Sequence, residues 1–302
     1  MAYDERTRRW TVAPGEHKTI DIDDVTALRI ALASGRVDVI GQDDPVCRLE
    51  IGNVVGRNLT VEVCRGVLHI EQPEERRPFR LFDVFIGRRG VVSGTSADVS
   101  LLVPRSVAAH ISCVNGDTLV GGLTADTHLE TVNGAVLADG LSGALKLNNV
   151  GGRVKARNHH GEVKADTVNG DVMVSGDCRA VEVHSVNGAL YLDAFGSPDR
   201  VTFNAVSGDA TIRLDPEVHA RYSVETMSGH ADIDGRTFRS ALRNFAYEDG
   251  PDDGPESKVR FQAVGGSLRI LRRADLQGIG RGHCKRGSNG DGLRIQSAGK
   301  SP

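Results

Sequence analysis

Residues 161–196 read GEVKADTVN GDVMVSGDC RAVEVHSVN GALYLDAFG, four pieces of nine that align without a gap. In each piece the third and fifth positions are apolar: Val163 and Ala165, Val172 and Val174, Val181 and Val183, Leu190 and Leu192. The second, fourth and sixth are mostly polar. Alternation of this kind marks a half-buried strand of about five residues. It excludes a helix, as does glycine recurring at the piece boundaries.

The cut extends outward in both directions. Backward it runs through GRVKARNHH, GALKLNNVG, GAVLADGLS and ADTHLETVN to GDTLVGGLT at Gly116. Forward, past Ser197-Pro198, it takes in DRVTFNAVS and, after a longer turn around Pro216, ARYSVETMS and GHADIDG. Repetition at a fixed period points to stacked units that share one core. The eighth position is apolar at Val114, Leu123, Val132, Leu141, Val150, Val168 and Val186, and is expected to turn inward at the corner.

Like follows like at eighteen residues, not at nine. Asn115-Gly116, Asn133-Gly134, Asn169-Gly170 and Asn187-Gly188 mark one kind of corner, continued by Ser207-Gly208 and Ser228-Gly229, while the intervening turns differ. Asn and Gly suit left-handed backbone, and asparagines stacked in register can hydrogen-bond along the array. Asn-Gly is also a hairpin signal, so an antiparallel meander competes. The eighteen-residue period favours an all-β, β-solenoid or β-helix-like array of two-strand rungs.

This organisation divides the chain into an N-terminal segment (1–26), a strand-repeat domain (27–271) and a disordered basic tail (272–302). Insertions fall near 72–92 and 237–257. Residues 27–40, ALRIALASGRVDVI, read as the first rung and residues 59–71 as a β-hairpin beside it. Residues 46–64 read as another hairpin, with Cys47 and Cys64 facing across it. Residues 258–271 supply a last strand pair.

Composition narrows the function. The 302 residues carry a formal charge of -3 and only 4% aromatics, so nothing global points to nucleic acid. No apolar run is long enough for a signal peptide or a membrane span. Five scattered cysteines without a CxxC read as reduced thiols. The expected location is the cytoplasm.

Repeated V-N-G or V-S-G turns, the SGRVDV unit at Ser34–Val39, the VPRS turn at Val103–Ser106 and the terminal GGSLRI strand together resemble a bacterial β-strand-repeat family called "putative adhesin". The resemblance covers residues 27–271. It implies the repeat fold and an adhesin-like role at the surface or envelope, and it carries over no catalytic residue.

Chemistry-bearing motifs are sparse. G-x-S-x-G, H-E-x-x-H, Walker and Rossmann signatures are missing, so an enzyme built on a β-helix is the least favoured reading, and no cofactor or small-molecule substrate is expected. Asp117, Asp171 and Asp209 follow corner glycines without the companions of calcium-binding nonapeptides. His110 and His128 share an outward column with Lys146, Lys164 and Glu182. No third ligand of matching type is evident along that column, so no metal is expected. His159 and His160 are adjacent and point apart.

The anomaly is an apolar column at the outward fourth position: Leu119, Leu137, Met173 and Tyr191, interrupted by Lys155. An apolar stripe on a sheet exterior is covered by something. Its cover is either residues 79–86 (FRLFDVFI) of the same chain or an interface with another copy or another protein. The tail, with seven Lys/Arg against two Asp, has the charge for an anionic surface. The reading favoured overall is a non-enzymatic scaffold or protein-interaction module.

Overall fold

The computed structural model describes residues 7–72, 94–239 and 245–273. The chain is all-β, with no helix among the described residues. The strands in chain order open with β1 (Arg8–Val12), β2 (Lys18–Ile22), β3 (Ala27–Ser34), β4 (Val37–Gln42), β5 (Cys47–Val55), β6 (Leu59–Cys64), β7 (Val67–Glu71) and β8 (Ser96–Pro104). The regular array follows as β9 (Ala108–Asn115), β10 (Thr118–Gly121), β11 (Thr127–Asn133), β12 (Val136–Asp139), β13 (Ser142–Gly151), β14 (Val154–Thr167), β15 (Val172–Asn187), β16 (Leu190–Ala194), β17 (Arg200–Ser207) and β18 (Ala210–Leu214). The chain then runs through β19 (His219–Ser228), β20 (His230–Ile233), β21 (Arg236–Arg239), β22 (Phe245–Asp249), β23 (Glu256–Gly265) and β24 (Leu268–Arg272).

Strands consecutive in the array do not pair with each other as hairpins. Each pairs in parallel with its equivalent eighteen residues on: Thr118 with Val136, Thr127 with Leu145, Leu145 with Val163, Val154 with Val172. The chain thus alternates between two parallel ladders, one through β9, β11 and β13, the other through β10 and β12. β14 and β15 pair in both ladders and join the 24 strands of the described residues into one sheet. The meander that Asn-Gly turns also permit does not form here.

Inward alternation places the core as the sequence dictates. Val136, Ala138, Leu145, Leu147, Val163, Ala165, Val181, Val183, Leu190 and Leu192 are all buried. Aromatic residues collect at one end, where Phe203 stacks on Phe261 with 5.6 Å between ring centroids. Tyr222, Tyr247, Phe238 and Phe245 form a further aromatic group there.

The eighth position behaves differently at the two corners. Leu123 and Leu141 are buried, and His159 occupies the equivalent place in the next unit. At the Asn-Gly corner the alternation simply continues. Thr131, Asn149, Thr167 and Ser185 at position seven are buried, while Val132, Val150 and Val168 are half-buried and Val186 is exposed. Of the expected series at that corner, only Val114 is buried.

The corner residues have, in part, a different cause from the one expected. Gly134 and Gly229 have the positive φ expected, 146° and 156°, whereas the asparagines and Gly116, Gly170 and Gly188 do not. The Asn133 amide donates to Asn115 Oδ1 at 2.9 Å and the Asn187 amide to Asn169 Oδ1 at 3.1 Å, so the asparagines form ladders. The glycines are required by proximity. A Cβ on Gly134 would lie 2.1 Å from the Gly116 carbonyl oxygen, and one on Gly188 2.3 Å from that of Gly170. The aspartates after the glycines are equally local: Asp117 Oδ1 accepts the Ala135 N–H at 2.9 Å, Asp171 that of Ala189 at 3.0 Å and Asp209 that of Ser267 at 2.7 Å. Those oxygens tie one unit to the next.

At both ends the stacking order departs from the chain order. β3 and β4 pair in parallel with β9 and β10, and the β6–β7 hairpin forms. However, β7 and β8 pair with the other edges of β3 and β4 and so lie outside them. Residues 46–64 are not a hairpin: β5 pairs with β2 and β8, and β6 with β1 and β7. Cys47 and Cys64 therefore sit on strands that do not pair, and both are free. β23 and β24 are last in sequence but not in the stack. They insert between β17–β18 and β19–β20.

Antiparallel strands close each ladder. β1 and β2 from the N-terminal segment do so at one end; β21 and β22, from the stretch expected to be a polar insertion, do so at the other. These outermost strands are four or five residues long and carry charges such as Arg8, Arg9 and Lys18. Short, charged edges discourage pairing with another chain. The tail begins later than expected, because Arg272 ends β24 and Arg273 is anchored to Asp193 at 2.6 Å. Residues 79–86 and 274–302 lie outside the described residues, so the expected intramolecular cover and the disordered basic tail do too.

Candidate functional site

The sheet exterior carries three distinct surfaces. The first is the column expected from the sequence. Leu119 pairs with Leu137, Leu137 with Lys155, Lys155 with Met173 and Met173 with Tyr191. The register brings these residues into one outward line. Leu119, Leu137 and Met173 are half-buried and Tyr191 is exposed. Charges beside the line are already paired: Arg157 with Asp139 at 2.7 Å, and Asp193 with both Arg213 and Arg273. The Arg213 guanidinium holds the Asp193 carboxyl below its usual range. Met173, Tyr191, Arg213 and Leu271 border a shallow depression of about 330 Å³.

The second surface was not anticipated, because position eight, Val186 included, was expected to turn inward at the corner. Position eight of the Asn-Gly corner forms an outward ridge along the stack. Its exposure rises toward one end: Val186 41%, Val206 53%, Val264 53% and Met227 75%. Beside it, small residues at position seven, Ser185, Ala205 and Ala263, leave a groove. The far wall is the polar sixth column, with His184, Asn204, Gln262 and Glu225. The groove holds about 520 Å³. Continuing the strict alternation past position six would have found this ridge in the sequence.

The third surface is the histidine column. Arg29, His110, His128, Lys146, Lys164 and Glu182 are successive partners across the ladder, as the repeat predicts from His110 onward. His110 and His128 stack with 4.5 Å between ring centroids. A third ligand does join them, contrary to expectation. Glu130 Oε1 lies 3.1 Å from His128 Nε2 and 3.9 Å from His110 Nε2. His110 and His128 together hold the Glu130 carboxyl far below the usual carboxylate range. Looking only along the eighteen-residue column missed Glu130. The signal was local: in His128-Leu129-Glu130, residues two apart on a strand share a face.

His159 and His160 point apart as expected. His159 is buried, with Nε2 3.2 Å from the Glu162 carbonyl oxygen, and burial depresses its basicity, so it acts as a neutral core residue. His160 faces solvent, with a side-chain exposure of 64%.

No family model matches the chain, and no curated protein matches it. Solved structures do. One is a "putative adhesin" from Bacteroides fragilis, 14% identical, with a TM-score of 0.46 over 85% of this chain and 97% of that one. Another is a "putative cell adhesion protein" from Clostridium sporogenes, 13% identical, with a TM-score of 0.29 over 85% and 99%. A third is a "putative lipid binding protein" from Parabacteroides distasonis, 12% identical, with a TM-score of 0.41 over 86% and 98%. Among the described residues no helix is long and apolar enough to cross a membrane.

Proposed function

We propose that this chain is a non-catalytic β-solenoid scaffold that associates with a second copy of itself through the Asn-Gly corner. The eighteen-residue parallel registers support the solenoid reading. The observation that carries the interaction is the ridge of Val186, Val206, Val264 and Met227, exposed beside a groove that Val206, Val264 and Met227 line. Ridge and groove run side by side along the same axis. A two-fold operation can therefore seat the ridge of each copy in the groove of the other, the self-complementarity that an isologous dimer needs. Four side chains at a spacing of about 4.8 Å span roughly 15 Å. That is the size of a weak, concentration-dependent contact.

The four described cysteines are free, which supports a reducing compartment such as the cytoplasm. The Leu119–Tyr191 column is the less exposed of the two apolar surfaces and serves as a secondary contact.

The test is molecular mass by sedimentation across a concentration series. The wild type is expected to dimerise. A Val206→Lys, Val264→Lys double variant is expected to remain monomeric with an unchanged far-UV spectrum, because both side chains already face solvent. A wild type that stays monomeric at its solubility limit, or a double variant that retains the dimer, would overturn the proposal.

A further inference from the structure

Within the histidine column, His110 and His128 form with Glu130 a group whose geometry fits a metal ion. One ligand atom from each of His110, His128 and Glu130 lies within 4.8 Å of the other two. A tetrahedral ion with bonds of about 2.0–2.1 Å places its donors about 3.3 Å apart. The two distances to Glu130, 3.1 and 3.9 Å, bracket that value. We propose that His110, His128 and Glu130 form a binding site for a divalent transition-metal ion of the zinc class on the outer face of the first ladder.

Three features carry this beyond the chance meeting of polar groups. First, the register fixes the donors. His110 and His128 are direct parallel partners, and Glu130 sits two residues beyond His128 on the same strand face. The backbone ladder therefore fixes the separation of the Cα atoms before any ion arrives. Second, the hydrogen bonding is over-subscribed. Asn148 Nδ2 approaches both His128 Nε2 at 3.0 Å and Glu130 Oε1 at 3.3 Å. To pair with Glu130, His128 Nε2 must donate; to receive Asn148 it must accept. A cation shared by the imidazole and carboxylate lone pairs removes the conflict. The Asn148 amide, turned about its last torsion, then offers its oxygen as a further donor. Third, Glu130 and His128 are largely shielded, with side-chain exposures of 19% and 25%, while His110 is open at 45%. One side of the ion is left free for water or for a ligand from a partner.

Two imidazoles and one carboxylate suit zinc, nickel or copper(II), not calcium or magnesium, which prefer all-oxygen shells. Arg29 and Lys146 occupy the same column on either side and oppose the ion's charge. They limit affinity, and Lys146→Gln should tighten binding. The site lies away from the exposed ridge, so the two proposals stand or fall separately.

The experiment is titration of the full chain with zinc or nickel alone, followed by calorimetry, with equilibrium dialysis to count equivalents. The other histidines and the cysteines bind equally in every variant, so the comparison isolates this group. Relative to the wild type, His110→Ala and Glu130→Gln should each lose one equivalent, or weaken it more than about tenfold. Both substitutions are expected to leave the far-UV spectrum unchanged, and excess magnesium should not compete. Equal stoichiometry and affinity in the wild type and both variants would overturn the assignment. So would a wild type that binds neither ion.

Discussion

Gly188 offers the sharpest test of why glycine recurs in this array. Its backbone is not left-handed, so conformational freedom does not require it. An added Cβ would stand 2.3 Å from the Gly170 carbonyl oxygen and 3.0 Å from both the Gly170 carbonyl carbon and Ser185 Oγ. Ordinary contact begins near 3.4 Å, so Gly188→Ala must open the corner by about 1 Å. The adjoining Asn187 N–H to Val168 O bond, 2.7 Å long, lies in the path of that movement. Overpacking of this kind costs about 1–3 kcal/mol. With a urea slope of about 2 kcal/mol/M, the midpoint should fall by roughly 0.5–1.5 M.

Gly265→Ala is the matched control. Nothing lies within 4 Å of its Cβ position and its backbone is not left-handed. That change should be neutral or stabilise by about 0.4–1 kcal/mol through the unfolded chain. The assay is urea denaturation followed by circular dichroism. If the two variants unfold within about 0.5 kcal/mol of each other, the close stacking of corner glycines is not what selects them.

Arg272 holds the inserted last strand in place. Its guanidinium donates to the Asp215, Val218 and Asp249 carbonyl oxygens at 3.1, 2.7 and 3.2 Å and lies 3.7 Å from the Asp249 carboxylate. Arg272→Ala should cost about 3 kcal/mol in urea denaturation, because it orphans acceptors and a charge together. The exposed Arg269→Ala on the same strand should stay within about 0.5 kcal/mol of wild type. The thiols give a pH-dependent prediction. Burial first, then Asp21, Asp117 and Asp177 respectively, pushes Cys47, Cys113 and Cys178 up to about 12. Their native alkylation near pH 8 should be about a thousandfold slower than that of a free thiol, read by mass spectrometry. Unfolded thiols ionise from about pH 8.5, so this contribution to stability is full below that value and declines as pH rises toward the folded one.

Much of the array was legible because its signals are local. Side chains alternate every two residues on any strand, so Val136, Leu145 and Val163 declare the inward face without reference to what they pack on. An eighteen-residue period then identifies which strands are equivalent, and the asparagine ladders follow from that register. The same local rule would have revealed the outward valines at the corner and the pairing of Glu130 with His128. It was the assumption of an inward turn at position eight, and a search confined to one column, that hid them.

What the tertiary structure alone decided is the order of the stack and the company that strands keep at its ends. Every unit with apolar third and fifth positions presents the same backbone donors and acceptors on both edges, so the pattern does not say which edge a later strand joins. β7 and β8 could only be placed outside β3 and β4, and β23 and β24 between β17–β18 and β19–β20, by the three-dimensional pairing itself. Closure by β1, β2, β21 and β22 is likewise non-local, since antiparallel strands from distant stretches must meet the last parallel edges. The strands, their faces and their period follow from the order of residues, because each depends on neighbours within a unit. The tertiary structure determined the stacking order and the convergence of donors from two units at His110, His128 and Glu130, because those depend on which units touch.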